Sequence, residues 1–195
     1  MDKSILRINP LLFLIIFFAF LSYGRTMVWV DEYAIWNDAL INSSGKVRPH
    51  LNMGNALVMA GLFKEAIKEY KFVKEKEPHH FTAYIGLGSA YLLMKNWDGA
   101  ISEFKEAVSI QPDSSIAHTN LGLALLNREF INNAIDEFKI AIQLWQGNYA
   151  AHQNLSIAYR QKSLLKEADE EAKIAAILRQ QANIQDVQGY GVIQK

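Results

Sequence analysis

Residues 81–114 read FTAYIGLGSAYLLMKNWDGAISEFKEAVSIQPDS, and this stretch decides the fold. Apolar residues recur at helical spacing in its first half (Tyr84, Leu87, Tyr91, Met94) and again in its second (Ala100, Ile101, Phe104, Val108). The polar pair Lys95-Asn96 separates the two runs, Asp98 is placed to cap the second helix, and Pro112 closes the unit. Two helices joined by a tight turn are expected.

Shifting the window by 34 residues finds the same columns again. Gly54, Gly88, Gly122 and Ser156 align, and Ala56, Ala90, Ala124 and Ala158 follow two residues later. Ala66, Ala100, Ala134 and Ala168 form another column, Tyr70, Phe104 and Phe138 an aromatic one, and Val73, Ala107, Ala141 and Ala175 a small one. Asn132-Asn133 reads as the turn of the third unit. No gap is needed, so the units are 47–80, 81–114, 115–148 and 149–182. Small residues let two helices approach closely, and the aromatic of the facing helix fills the remaining space. One helix pair cannot bury its own apolar stripe, so the units must stack and share a core.

The set Tyr84, Leu87, Gly88, Tyr91, Ala100, Phe104, Ala107 and Pro112 resembles the tetratricopeptide repeat at all eight signature positions, and the phased units span 136 of 195 residues. The resemblance implies an all-α fold, an α-solenoid of four full repeats plus a half-repeat after an N-terminal hydrophobic helix. It also implies a right-handed superhelical groove that docks a peptide or a partner helix. The half-repeat is residues 31–46: Trp36 and Ala39 fall one period upstream in the aromatic and small columns, with Ser43-Ser44-Gly45 as the turn. In the last unit Asp169 and Ala172 break the pattern. Its second helix, from Lys166 to about Ala182, therefore reads as a water-facing cap, and residues 183–195 as a flexible tail.

Residues 1–30 hold twenty apolar residues and a single acid, Asp2, against Lys3, Arg7 and Arg25. The unbroken apolar run from Leu11 to Leu21 makes ~16 Å of helix, short of a bilayer core of ~30 Å. Two readings follow. One is a signal peptide cut near Gly24, with Ser22 and Gly24 as the small residues before the cut. The other is an uncleaved single-pass anchor from Leu11 to Val30. Basic residues before the run, and Asp31 and Glu32 after it, place the repeats outside the cytoplasm (periplasmic or lumenal) in either case. Trp29-Val30-Asp31-Glu32, Trp36, Gly45 to His50 and Asn52-Met53-Gly54 are similar to the junction between last span and first repeat in polytopic O-mannosyltransferase-like proteins. That similarity favours the anchor and implies, as an alternative, a regulatory or assembly subunit of a membrane glycosyltransferase complex. No activity carries over from it.

Twenty basic residues balance twenty acidic ones, and residues 47–182 alone carry fifteen of each. The balance excludes a dedicated nucleic-acid binder, and the absence of cysteine excludes disulfides, thiol catalysis and thiolate-bound zinc. His50, His118 and His152 share one repeat position, which Tyr84 takes in the second unit. Stacked repeats hold such residues about 10 Å apart, too far to share a zinc ion, so packing is expected. His79-His80 reads as an exposed inter-repeat turn. Glu65 with Glu69, and Glu103 with Glu106, share helix faces with lysines and read as solvated surface. Gly86-Leu87-Gly88 lacks the strand and third glycine of a dinucleotide loop. The expectation is a non-enzymatic protein without cofactor or metal.

In the tetratricopeptide resemblance the first helix of each repeat lines the concave face. The partner-binding set this implies is Asn52, Asn55, Ile85, Ser89, Thr119, Asn120, Leu123, Asn127, Gln153 and Asn154. Leu51, Met59, Leu92, Leu93, Leu126 and Ile157 add apolar surface. Asparagine side chains both donate and accept, which suits the backbone of an extended peptide. Leu51 and Thr119 stand where a carboxylate clamp would carry lysine, so an apolar or mixed ligand is expected.

Overall fold

The computed structural model describes residues 35–37, 40 and 45–191, with side chains placed through Ala182. From residue 47 the chain forms eight helices in antiparallel pairs: α1 (Val47–Met59), α2 (Phe63–Lys76), α3 (Phe81–Leu93), α4 (Trp97–Ile110), α5 (Ser115–Asn127), α6 (Ile131–Leu144), α7 (Tyr149–Gln161) and α8 (Leu165–Gly191). No strand occurs among the described residues. The architecture is the expected all-α solenoid.

Each first helix ends in the same way. The N–H groups of Leu62, Asn96, Phe130 and Leu164 donate to the carbonyls of Leu57, Tyr91, Leu125 and Tyr159, each five residues back. This is the closing bond of a Schellman turn, which needs a left-handed residue just past the helix. Gly61 supplies it at φ 78°, while Lys95 (60°), Glu129 (67°) and Ser163 (60°) hold it without glycine. The third turn is therefore Arg128 to Phe130, and Asn132-Asn133 lie in the first turn of α6. Asp98 likewise falls inside α4. The cap is Asn96, whose Oδ1 accepts from the Gly99 N–H at 3.1 Å, because the Schellman turn leaves it in non-helical backbone one residue before the helix.

The glycine column sits under the aromatic column. A Cβ added to Gly54, Gly88 or Gly122 would come within 2.6, 2.4 and 2.6 Å of the rings of Tyr70, Phe104 and Phe138. Those rings are almost fully buried, so the close approach is what closes each helix pair. Tyr70 also crosses to the next repeat, where a Cβ on Gly86 would lie 2.5 Å from its ring. Its hydroxyl donates to Asn55 Oδ1 at 2.7 Å, and burial pushes it up to about 12. Upstream, Trp36 and Leu40 pack against the cluster of Met53, Leu57, Ala66 and Tyr70.

A second periodic arrangement joins the helices of a repeat and ties it to its predecessor. His50, His118 and His152 place Nδ1 at 2.6, 2.6 and 2.5 Å from the carboxylates of Glu69, Glu137 and Glu171. Nε2 of His118 faces the carbonyl of Pro112 at 2.9 Å, and that of His152 the carbonyl of Gln146 at 3.2 Å. In the second repeat the Tyr84 hydroxyl donates to the Pro78 carbonyl at 2.7 Å. The glutamate in register, Glu103, accepts instead from Lys74 Nζ at 2.9 Å. Burial lowers the Lys74 ammonium, but the hydrogen bond and charge of Glu103, with smaller help from Tyr84 and Glu106, outweigh it and hold it above the usual range. Glu69 and Glu103 are thus half-buried joint residues and not solvated surface.

The joint between the last two repeats is polar. Asn148 is buried; its Oδ1 caps α7 through the Ala151 N–H, and its Nδ2 donates to Ser115 Oγ and Thr119 Oγ1, both at 2.8 Å. Ser115 donates onward to the Ala141 carbonyl at 2.7 Å. Each buried polar group here has a partner, so the network adds rigidity without a stranded donor.

The last second helix differs from expectation in length. The others span 14 residues each, whereas α8 spans 27, running to Gly191 through most of the segment read as a tail. Its sequence carries no proline and is rich in Ala, Glu, Gln and Lys up to Asn183, so nothing stops the helix where the repeat ends.

Candidate partner-binding groove

The backbones of successive first helices approach closely (α1 with α3, α3 with α5, α5 with α7), and those of successive second helices do not. The stack therefore curves with α1, α3, α5 and α7 on its inner side. Along each of these helices the buried face turns toward its own second helix. The opposite face lines the concavity.

Nine of the ten residues expected to bind a partner retain surface there. Asn55, Asn127 and Gln153 are exposed, and Asn52, Ile85, Ser89, Asn120, Leu123 and Asn154 are half-buried. Thr119 is the exception. It is buried, its hydroxyl donates to the Ser115 carbonyl at 2.8 Å, and it accepts from Asn148. Its polar capacity is consumed inside the joint, so it is not available to a ligand. Leu126 is buried for the same reason, under the next repeat.

Apolar surface is left open between the amides. Met59, Leu93, Ile116 and Ile157 are 83, 53, 57 and 42% exposed, too much for a wholly interior role. Two amides are half engaged. Asn55 Oδ1 is taken by Tyr70, and Asn127 Nδ2 donates to the Leu123 carbonyl at 2.8 Å. Each keeps its other polar atom for an incoming backbone.

The described residues contain no group of three or more His, Cys, Asp or Glu side chains that could hold a metal ion, and Tyr70 and Lys74 hold their protons above the usual range. Both are explained by packing in the joints. The periodic glutamate at 69, 103, 137 and 171 is the feature that residue-type reasoning passes over, although its 34-residue spacing equals that of the histidines.

Comparison with known proteins agrees with this geometry. The tetratricopeptide repeat family model matches residues 51–115. The chain is similar in structure to MamA 41-end from Desulfovibrio magneticus RS-1, with a TM-score of 0.71 at 23% identity over 80% of this chain and 89% of that one. Another crystal structure of MamA gives 0.70 at 23% identity, over 83% and 95%. TTC0263, a thermophilic TPR protein in Thermus thermophilus, gives 0.70 at 16% identity over 90% and 95%. No curated protein matches the chain. The fold is an α-solenoid of helix pairs like those of tetratricopeptide-repeat proteins.

Proposed function

We propose that this chain is a non-catalytic docking scaffold whose concave face holds an apolar or mixed stretch of a partner protein. The observation that carries the reading is the open surface of Met59, Leu93, Ile116 and Ile157, set among amides that keep a free donor or acceptor. The apolar residues supply pockets, and the amides pair with main chain irrespective of its sequence. Replacing Asn120 and Asn154 together with alanine weakens partner capture and leaves the helix content unchanged. Undiminished capture would put the binding surface elsewhere.

The tether belongs to the same proposal. No helix among the described residues is long and apolar enough to cross a membrane, and the run from Leu11 to Leu21 lies outside them. Its composition supports a single-pass anchor that holds the repeats on the extracytoplasmic side, with release after cleavage near Gly24 as the alternative. Intact-mass measurement of the native protein separates the two, since cleavage leaves Arg25 as the first residue. A second reading, a regulatory or assembly subunit of a membrane glycosyltransferase complex, rests on the stretch from Trp29 to Gly54. Co-purification of a polytopic membrane protein supports it.

A further inference from the structure

We infer that the open C-terminal end of the stack is a second docking face, one that receives an amphipathic helix of another protein in the place of a fifth first helix. The argument rests on register. In the third repeat Ser115, Leu126 and Phe138 are buried where α7 packs on α5 and α6. In the second repeat α5 does the same, with Ala117 packed against Ala107. The residues 34 positions further on have less cover: Tyr149 and Arg160 are exposed and Ala172 is half-buried, and Ile157 and Ala176 are exposed where Leu123 and Ile142 are half-buried. The face is a continuation of an interface that the chain already builds three times.

The shape and charge of this end indicate what fits. Ala172 replaces the ring that Phe104 and Phe138 contribute, and Ser156 faces it from the glycine column. The result is a hollow of about 360 Å³ lined by Ala172, Ala175 and Ala176, with Arg160 and Arg179 at its edge, and it adjoins the end of the concave face at Gln153 and Ile157. An apolar centre inside a polar edge is the anatomy of a non-obligate interface. Arg160 is paired with Asp169 at 2.9 Å, whereas Arg179 has no carboxylate within 4 Å among the described residues. Arg179 is in register with Trp145, three residues before the Asn148 cap of α7. A carboxylate in the first turn of a docked helix would therefore meet Arg179, where the helix dipole also favours a negative charge. The occupant has a small residue to set on Ala175, a bulky apolar one for the hollow, and an acid at its N-terminal end.

The test uses the full chain and a fluorescein-labelled peptide of residues 113–129, the helix that covers the equivalent face of the second repeat, with Asp113 at its start. Fluorescence anisotropy should show saturable one-to-one binding with a dissociation constant below about 100 µM. A176E should weaken it by about tenfold or more, since a charge then sits in the apolar centre. Ala176 is exposed, so circular dichroism should show A176E folded. R179E should weaken binding, and the same peptide with D113R should regain it. L93E, in the concave groove, should leave peptide binding unchanged, which separates this face from the groove reading. The inference is overturned by no saturable binding, by equal binding to A176E, or by loss in L93E alone. Concentration-dependent self-association abolished by A176E would also overturn it, by making a second copy the occupant.

Discussion

Lys74 reaches out of the first repeat over the ring of Tyr84 in the second, with Nζ 4.6 Å from the ring centre and 2.9 Å from Glu103. The pairing explains why one repeat departs from the histidine column without breaking the joint. Tyrosine supplies the donor for the Pro78 carbonyl but cannot serve the glutamate, so a lysine comes from the neighbouring repeat. Where the column holds histidine, the position in register with Lys74 is aliphatic: Leu40 before His50, Val108 before His118 and Ile142 before His152. Two residue choices are coupled across each joint.

That coupling predicts a rescue. H118Y keeps a donor for the Pro112 carbonyl but leaves Glu137 without its partner, and should cost about 1–3 kcal/mol of unfolding free energy. V108K supplies the missing cation, so the double variant should recover more than half of the loss in urea denaturation. Additive destabilisation by the two changes contradicts the coupling.

The glycine column makes an asymmetric prediction. Gly122 faces the Phe138 ring, whereas Ser156 faces Ala172. G122S should destabilise by about 1–3 kcal/mol through overpacking. S156G should change stability by less than about 1 kcal/mol, the scale of helix propensity. Thermal or urea unfolding of the two single variants decides it.

Asn148 combines a cap on the next repeat's first helix with two bonds back to α5. N148A should destabilise by about 2–3 kcal/mol, more than a cap alone, because Ser115 and Thr119 lose their donor in a buried site. Hydrogen exchange should speed up most at the N-terminal turn of α7. Uniform acceleration along the chain would mean that the network is not local.

Alkaline pH should weaken the fold. An unfolded tyrosine releases its proton near 10, and Tyr70 holds its own to about 12. Between those values the folded state binds more protons than the unfolded one, so stability falls as pH rises. Lys74, held above its usual range, adds a contribution that is complete below its unfolded value and is lost as pH rises through the folded one. The urea midpoint of the native protein should fall from about pH 10 to about pH 12, and that of Y70F should fall less. Equal slopes would remove Tyr70 from the account.

The repeat was legible because its columns are steric. Gly88 beneath Phe104 is a constraint that only a small residue meets, and such constraints recur in the sequence with the architecture. The joints were less legible because their chemistry is relational. Glu69 beside lysines looks like any solvated helix face, and only the position of His50 across the pair makes it an interior partner. Asn96 rather than Asp98 caps α4, since the choice follows from the left-handed turn at Lys95. Thr119 fell out of the groove for a similar reason. Its hydroxyl is claimed by Asn148, the cap of the next repeat's first helix, a contact that depends on how far the stack turns.

The central claim is that the inner side of the stack is the surface a partner uses. Its most direct test is photo-crosslinking from single positions of the full chain in the cells that produce it, comparing Leu93 on the concave face with Lys105 on the exposed side of α4. The account predicts a discrete adduct from Leu93 that the Asn120 and Asn154 alanine variant diminishes, and none from Lys105. Adducts of equal yield from both positions, or from Lys105 alone, would contradict it.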